Sequence, residues 1–347
     1  MHDQMRRVVV IALSLTAMAG ASATFAQAPA QLYEAAKKEG VVYWYTGLLQ
    51  NQIVKPAASA FEKKYPGVRV EIVGGSDTEL LDKINDEIKI GKLQADVIDG
   101  PSMASQVIKA GRAAPFKPAN ASNVGTLNKD PNGLWIAPAL FFLTASVNTD
   151  LVKPNEEPKT LEDLLNPKWK GKMAWAGEIG TAGQAGFIGA ILDQLGETKG
   201  MAYLNKLAAQ QITTVPSNAR VVMDKVIAGE YAIGLVTYNH HAARSKAQGA
   251  PIKSIMLEPI VATMPRLTLL KGALHPNGAK LLIDYLLSAE GQQLFSDAGY
   301  IPAASNVQAK DPSLKLDPAK HKLFSPTPQQ ELQHLDRWIE LYKDKFQ

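Results

Sequence analysis

The sequence has 347 residues, of which 46% are hydrophobic and 20% charged, and its formal net charge is +4 at pH 7. This length and composition are those of a globular chain with one large or two medium domains. The absence of cysteine argues against a lipid anchor on cysteine, a disulfide framework, thiolate metal sites and cysteine catalysis. The charges are dispersed along the chain, so we expect no nucleic-acid partner.

The N-terminus has the pattern of a secretory signal peptide. Arg6 and Arg7 precede the apolar run Val8–Ala19, which is too short to span a membrane, and small residues follow. We expect residues 1–26 to be removed by cleavage after Ala26, with Ala23 as the alternative site. The mature chain is therefore expected to be exported and soluble.

The first part of the mature chain alternates predicted strands and helices. The predicted strands are Val41–Tyr45, Val68–Val73 and Ala95–Ile98, and amphipathic helical segments separate them. Ser76 and Glu79 have the spacing of a capping box at the start of one such helix. This β-α-β-α-β order predicts a parallel sheet with right-handed crossovers.

A second α/β unit follows and ends in a short buried strand. Its predicted helices Glu197–Gln210 and Asn218–Ala228 lead into the strand Tyr231–Val236. Two long extended segments, Leu134–Val147 and Pro259–Leu270, join the two units. We therefore predict an α/β fold of two Rossmann-like lobes joined by a double-strand hinge, which closes a cleft around a small solute.

The predicted division of the chain follows from these segments. It assigns residues 1–26 to the signal peptide, 27–140 and 262–310 to lobe 1, 141–261 to lobe 2, and 311–347 to a C-terminal helical extension.

Polar and aromatic residues follow the strand Tyr231–Val236 directly. In an open α/β sheet, ligands bind beyond the carboxyl ends of the strands, so we expect Tyr238, Asn239 and His240 to touch a ligand. If this segment is extended, the adjacent His240 and His241 point in opposite directions, and at most one of them faces the cleft.

Helix N-termini are natural anion sites because they present unpaired N–H groups and the positive end of the helix dipole. The candidate positions at helix N-termini are Ser76, Asp77, Ser102, Thr181 and Asn218, with simple helix capping as the alternative for each. Thr46 and Gly47, at the end of the first predicted strand, are further candidate ligand-binding residues. Arg220 and Arg266 could each bind a carboxylate or phosphate through two N–H groups. Phe141 could form a wall of the pocket, and Glu178 could accept a hydrogen bond from an amine or a sugar hydroxyl.

Several stretches resemble one known family. They are Phe61–Val68, Ala95–Val97, Val147–Asp150, Pro158–Lys172, Gly229–Val236, His275–Leu287 and Ser288–Ala298. Over roughly residues 40–305, the chain resembles the extracellular solute-binding proteins of bacterial ABC importers, in the subgroup that contains the ferric-iron-binding proteins. The resemblance implies a periplasmic location, a type II-like periplasmic binding fold, and delivery of the ligand to the membrane permease subunits.

The chain departs from the iron-binding pattern of that subgroup at one place. Those proteins have two adjacent tyrosines directly after the Gly-Leu-Val strand, whereas this chain has Tyr238-Asn239-His240-His241. Ferric iron prefers anionic oxygen ligands, and imidazole suits softer divalent metals. The first interpretation is therefore a small anionic organic solute, such as a phosphate ester, phosphonate or carboxylate. The alternative is ferric iron or another metal bound by Tyr238, His240 and Glu178.

Enzymatic sequence motifs are missing. The sequence has no Gly-x-Ser-x-Gly elbow, no His-Glu-x-x-His motif and no complete Ser-x-x-Lys set. An exported hydrolase is thus the third alternative, behind the two binding functions. We expect a monomeric binding protein without catalytic activity and without a resident cofactor.

Overall fold

A computed structural model describes residues 29–177, 180 and 183–347. The predicted signal peptide, Glu178 and Thr181 lie outside these residues. Within the described ranges, no helix combines the length and the apolar character that crossing a membrane requires.

Helices and strands alternate along most of the described chain. The α-helices are α1 (Pro29–Glu39), α2 (Lys55–Lys64), α3 (Asp77–Lys89), α4 (Pro101–Lys109), α5 (Gln184–Leu195), α6 (Glu197–Ala208), α7 (Ala219–Ile227), α8 (Asn239–Ala247), α9 (Pro276–Leu287), α10 (Ala289–Asp297) and α11 (Pro328–Phe346). The strands are β1 (Val41–Thr46), β2 (Arg69–Gly74), β3 (Val97–Ile98), β4 (Ala113–Ala114), β5 (Ala139–Asn148), β6 (Met173–Ala176), β7 (Thr213–Val215), β8 (Ile233–Tyr238), β9 (Ile252–Ile255), β10 (Ile260–Thr263), β11 (Thr268–Leu270), β12 (Ile301–Pro302) and β13 (Leu323–Phe324).

The first sheet has the strand order β2-β1-β3-β11-β4. Strand β1 pairs in parallel with β2 and β3, as the β-α-β-α-β pattern predicts, while β11 joins antiparallel to β3 and β4. Val42 and Trp44 of β1 are fully buried in the core of this lobe. The parallel strands place their carboxyl ends, and the loops that follow them, at one edge of the sheet.

The second sheet has the strand order β13-β10-β5-β8-β6-β7 and a separate hydrophobic core. The long strand β5 pairs antiparallel with β8, β9 and β10, and β6 pairs in parallel with β7 and β8. The chain passes from the first lobe into β5 and returns between Thr263 of β10 and Thr268 of β11. The structure is therefore α/β and two-lobed, and the residue limits of the predicted lobes stay predictions.

Strand β8 ends two residues later than the sequence predicts. Val236 has a φ of 55°, and the pairing with β5 shifts register between Thr144 and Ser146. A β-bulge of this kind lets the strand bend and continue. The strand therefore extends to Tyr238, where the apolar pattern alone predicted its end at Val236.

The C-terminal helix α11 contacts both lobes. It begins with the capping box of Thr327 and Gln330 that the sequence pattern indicates, and its side chains Trp338 and Tyr342 are buried in the core of the second lobe. Near its N-terminus, the Glu331 carboxylate accepts hydrogen bonds from both terminal nitrogens of Arg266, at 2.7 and 2.8 Å. Helix α11 thus forms a third connection between the lobes.

We expect Glu331→Ala to lower the free energy of unfolding by about 3–5 kcal/mol, because it leaves the buried Arg266 guanidinium without its counter-charge. Both side chains are at most 4% exposed. Urea unfolding measures this loss. The control is Asp336→Ala on the exposed face of α11, which should change stability by less than about 0.5 kcal/mol. Equal losses in the two variants would contradict the importance of the pair.

Candidate functional site

A cavity of about 830 Å³ lies between the two lobes, where the loops after the strands of both sheets meet. Its described lining consists of Thr46, Gly47, Leu48, Gln50, Gly74, Gly75, Ser76, Asp77, Thr78, Asp99, Gly100, Pro101, Ser102, Phe141, Gly177, Gly180, Gly183, Asn218, Tyr238, Thr263 and Pro265. This volume is in the range of sites that enclose a small molecule.

The structure brings many of the predicted site residues together in this lining. They are Thr46, Gly47, Ser76, Asp77, Ser102, Phe141, Asn218 and Tyr238. The lobe 1 members lie at the end of β1, after β1 and β2, or at the start of α3 and α4, and the lobe 2 members come from β5, β8 and the start of α7. Their contact with a ligand stays a prediction.

The two predicted arginines do not line the cavity. Arg220 donates to the Asp224 carboxylate at 2.7 Å and to the Ser245 hydroxyl at 3.0 Å, since one turn of helix brings Asp224 beside it. Arg266 is 3% exposed and is held in the ion pair with Glu331. Both guanidinium groups therefore have structural partners of their own.

Asn239 and His240 are also placed away from the cavity lining, because the chain turns into α8 directly after Tyr238. The Asn239 amide donates to the carbonyl of Leu314 at 2.8 Å. The His240 ring packs against the rings of Phe141 and Tyr300, with centroid distances of 5.4 and 5.0 Å. The helical backbone corrects the expectation of an extended segment at this point.

The helical backbone also changes the relation between His240 and His241. Their rings meet edge to face with centroids 4.4 Å apart, so they do not point in opposite directions. Burial lowers the pKa of His240 well below its ordinary value. Burial, together with the charge of Arg220, lowers the pKa of His241 to about 4. Both imidazoles are therefore neutral at pH 7.

Asp99, an acidic side chain in the wall of lobe 1, is not among the residues that the sequence predicts for the site. It is 1% exposed and accepts hydrogen bonds from Nε1 of Trp44 at 2.8 Å and from the backbone N–H of Gly47 at 3.2 Å. Burial raises its pKa to about 7, against the lowering effect of its hydrogen bonds with Thr46 and Gly47. Asp99 directly follows β3, so the strand-end rule that singled out Tyr238 could have found it.

Asp77 is the second carboxylate in this wall. It begins α3, and its Oδ2 accepts hydrogen bonds from the backbone N–H groups of Ser102 at 2.8 Å and Met103 at 3.0 Å. The carboxylate thereby caps the N-terminus of α4. Burial raises the pKa of Asp77, and the two backbone hydrogen bonds oppose this effect.

Two further helix N-termini predicted as anion sites are also capped by side chains of the protein. At α3, the Ser76 hydroxyl accepts from the backbone N–H of Glu79, and the Glu79 carboxylate accepts from the backbone N–H of Ser76. At α7, Oδ1 of Asn218 accepts from the N–H groups of Arg220 and Val221. These termini thus resemble ordinary helix caps.

The described aspartates, lysines, arginines and histidines of the cavity wall are thus limited to two acids. Asp77 and Asp99 are its carboxylates, and the described lining includes no lysine, arginine or histidine. Among the described residues, no group of three or more His, Cys, Asp or Glu side chains could hold a metal ion. Tyr238 adds a phenol from the end of β8, with its ring edge to face against Phe141 at 5.4 Å.

Comparison with known proteins identifies the family. Residues 93–323 match the family model described as bacterial extracellular solute-binding protein. The chain belongs to this family. Solute-binding proteins bind small ligands and deliver them to ABC permeases, and the family is one of exported proteins.

Relatives and solved structures support the same assignment. The Fe(3+)-binding periplasmic protein of Serratia marcescens is 23% identical over 312 residues, which cover 86% of this chain and 87% of the relative. The crystal structure of iron-bound HitA from Pseudomonas aeruginosa has a TM-score of 0.75 at 24% identity, covering 88% and 98% of the two chains.

A third similar protein is described with a different ligand. The structure of AfuA from Actinobacillus pleuropneumoniae, with fructose-6-phosphate bound, has a TM-score of 0.73 at 24% identity and covers 88% of this solute-binding protein and 98% of AfuA. The predicted fold of a two-lobed periplasmic binding protein, and the resemblance to the ferric-binding subgroup, are confirmed.

We expect Asp99→Asn to flatten the pH dependence of stability between pH 4 and 7. In the folded protein Asp99 keeps its proton up to about pH 7, whereas an aspartate in the unfolded chain loses it near pH 4. Between these pH values the folded state binds more protons than the unfolded state. Asp99 therefore makes the free energy of unfolding fall as the pH rises, by up to roughly 1.4 kcal/mol per pH unit.

Urea unfolding at a series of pH values tests this contribution. The control is Asp82→Asn, an exposed carboxylate of α3, which should keep the slope of the unmodified protein. If Asp99→Asn also keeps that slope, the proposed protonation of Asp99 in the folded state is wrong.

Proposed function

We propose that this solute-binding protein carries ferric iron, bound together with a small organic anion, to an ABC permease. The observation that carries the proposal is the acidic character of the cavity wall, where Asp77 and Asp99 line the ligand space without a described lysine, arginine or histidine. We also propose that the mature chain is periplasmic and that it acts as a binding protein and not as an enzyme.

The electrostatics of lobe 1 favour a cation over a free anion. Charges act more strongly in a partly desolvated cleft than in water, and a wall of one sign concentrates ions of the opposite sign. An approaching cation also lowers the pKa of a nearby carboxyl group, so Asp99 would release its proton as the cation binds. A free anion would meet two carboxylates and helix N-termini that are already capped.

Tyr238 is the residue of lobe 2 that we propose as a protein ligand. A phenolate oxygen is the kind of hard anionic ligand that ferric iron prefers. His240 is not part of this proposal, because it is 4% exposed and does not line the cavity.

One phenolate does not complete the coordination of a ferric ion. Within the described ranges, no cluster of three His, Cys, Asp or Glu side chains could supply the other ligands, and we propose that an organic anion supplies them. A cavity of about 830 Å³ is far larger than a bare ion and has space for a chelating carboxylate. We therefore propose an iron chelate as the transported species.

The comparisons support this cargo. One relative is named as a Fe(3+)-binding periplasmic protein, and one structural neighbour is an iron-bound protein. The second candidate is the small anionic organic solute of the first interpretation, which the fructose-6-phosphate complex of AfuA supports. In both cases we propose that the lobes close on the ligand by a hinge motion, with Asp77 and Asp99 on one side and Tyr238 on the other.

We expect purified protein mixed with ferric citrate to develop a visible phenolate-to-iron charge-transfer band. Tyr238→Phe should remove this band and weaken iron binding by at least tenfold, because it deletes the phenolate and leaves the ring in place. The control is Tyr33→Phe, whose hydroxyl donates to the carbonyl of Pro66 at the surface of lobe 1. It should keep both the band and the affinity.

A thermal-shift measurement separates the two candidate ligands. A ligand present at a hundred times its dissociation constant adds about 2.7 kcal/mol to the free energy of unfolding. Stabilisation by ferric citrate, with none by citrate alone or by fructose-6-phosphate, supports the iron chelate. Stabilisation by the metal-free anions to the same extent would contradict it and favour the second candidate.

A further inference from the structure

We propose that Asp77 determines specificity, because its carboxylate occupies a helix N-terminus of lobe 1 at which a phosphate or carboxylate ligand would otherwise bind. The inference rests on the proposed function only in that it concerns the same cavity. It names free phosphates and carboxylates as the ligands that the lobe 1 wall of this cavity rejects.

The N-terminus of α4 lies in the cavity wall, since Gly100, Pro101 and Ser102 are all part of the lining. A helix of this kind normally has Ser, Thr, Asp or Asn at its N-cap, where the side chain accepts from the backbone N–H groups of the first turn. Here the N-cap is Gly100, which has no side chain to do so. The exposed N–H groups would thus suit an oxyanion.

Asp77 supplies that anion from a different helix. Its carboxylate accepts from the N–H groups of residues 102 and 103 at 2.8 and 3.0 Å, as a bound oxyanion would. A Cβ at position 100 would overlap this carboxylate, so glycine is needed for Asp77 to reach the helix. Gly100 and Asp77 therefore form a matched pair, in which the absence of a side chain at the N-cap makes room for an internal anion.

An incoming oxyanion must displace the Asp77 carboxylate from these N–H groups and then remain close to its negative charge. Asp99 lies in the same wall, and its own hydrogen bonds from Trp44 and Gly47 hold it there. Arg266, which donates to the carbonyl of Pro101 at 3.0 Å, is already paired with the Glu331 carboxylate and does not compensate an added anion. The wall consequently disfavours free phosphates and carboxylates.

The test is a gain of function in Asp77→Ala. Removing the carboxylate exposes the helix terminus to solvent, so isothermal titration with inorganic phosphate or sulfate should show binding at least tenfold tighter than in the unmodified protein. Asp77→Asn keeps a neutral acceptor at the same position and should give a smaller gain in the same direction. It also serves as the test if the alanine variant does not fold.

The matched control is Glu79→Ala on the same helix, which removes a carboxylate bound to Ser76 and not to α4. It should give no gain in phosphate affinity. The inference is overturned if the unmodified protein binds phosphate as tightly as Asp77→Ala, or if the control shows the same gain.

Ferric citrate binding, measured on the same samples, tests the proposed function separately. Iron binding by the unmodified protein without any phosphate gain in Asp77→Ala would overturn the specificity role alone. A phosphate gain in Asp77→Ala without iron binding by the unmodified protein would uphold the specificity role and overturn the iron proposal.

Discussion

The guanidinium of Arg266 holds together the parts of the molecule that define the cavity. It donates to the Pro101 carbonyl and the Ser105 hydroxyl of α4, and to the Glu331 carboxylate of α11. A buried charge is tolerated only when its hydrogen bonds and its counter-charge are in place, so these groups are fixed relative to one another. Because α11 packs on the second lobe, this one side chain relates the first turn of α4 to the opposite side of the cleft.

The fold provides the cavity, and the side chains that line it determine which ligands bind. Members of one fold bind many ligands, so the two-lobed architecture cannot distinguish iron from a sugar phosphate. The distinction comes from whether the helix termini and strand ends at the cleft carry cations or carboxylates. Asp77 and Asp99 accept hydrogen bonds from backbone N–H groups of lobe 1, and the proposed preference for a positive centre depends on these two acids.

Features that depend on neighbouring residues could be predicted from the sequence. The capping box at Ser76 follows from a spacing of three residues, and the position of Tyr238 follows from the end of a buried strand. Contacts between distant segments could not be predicted in this way. Arg266 and Glu331 are 65 residues apart, and neither side chain shows by its sequence context that it is buried. For that reason the sequence predicts Arg266 as a ligand-binding residue, whereas the structure places it in the buried ion pair.

The β-bulge in β8 explains how a tyrosine comes to face the cavity. Thr144 pairs with Thr237 and Ser146 with Gly234, so β8 has one residue more than β5 over this stretch. Without that residue, Thr237 would lie opposite Leu143 in the place of Tyr238, because an unbulged ladder keeps one-to-one pairing. The extra residue forces Val236 to a positive φ, which a β-branched side chain adopts only at a cost of about 1–3 kcal/mol. Such strain is retained where the surrounding structure fixes it, and here the bulge brings the proposed ligand Tyr238 to the cavity wall.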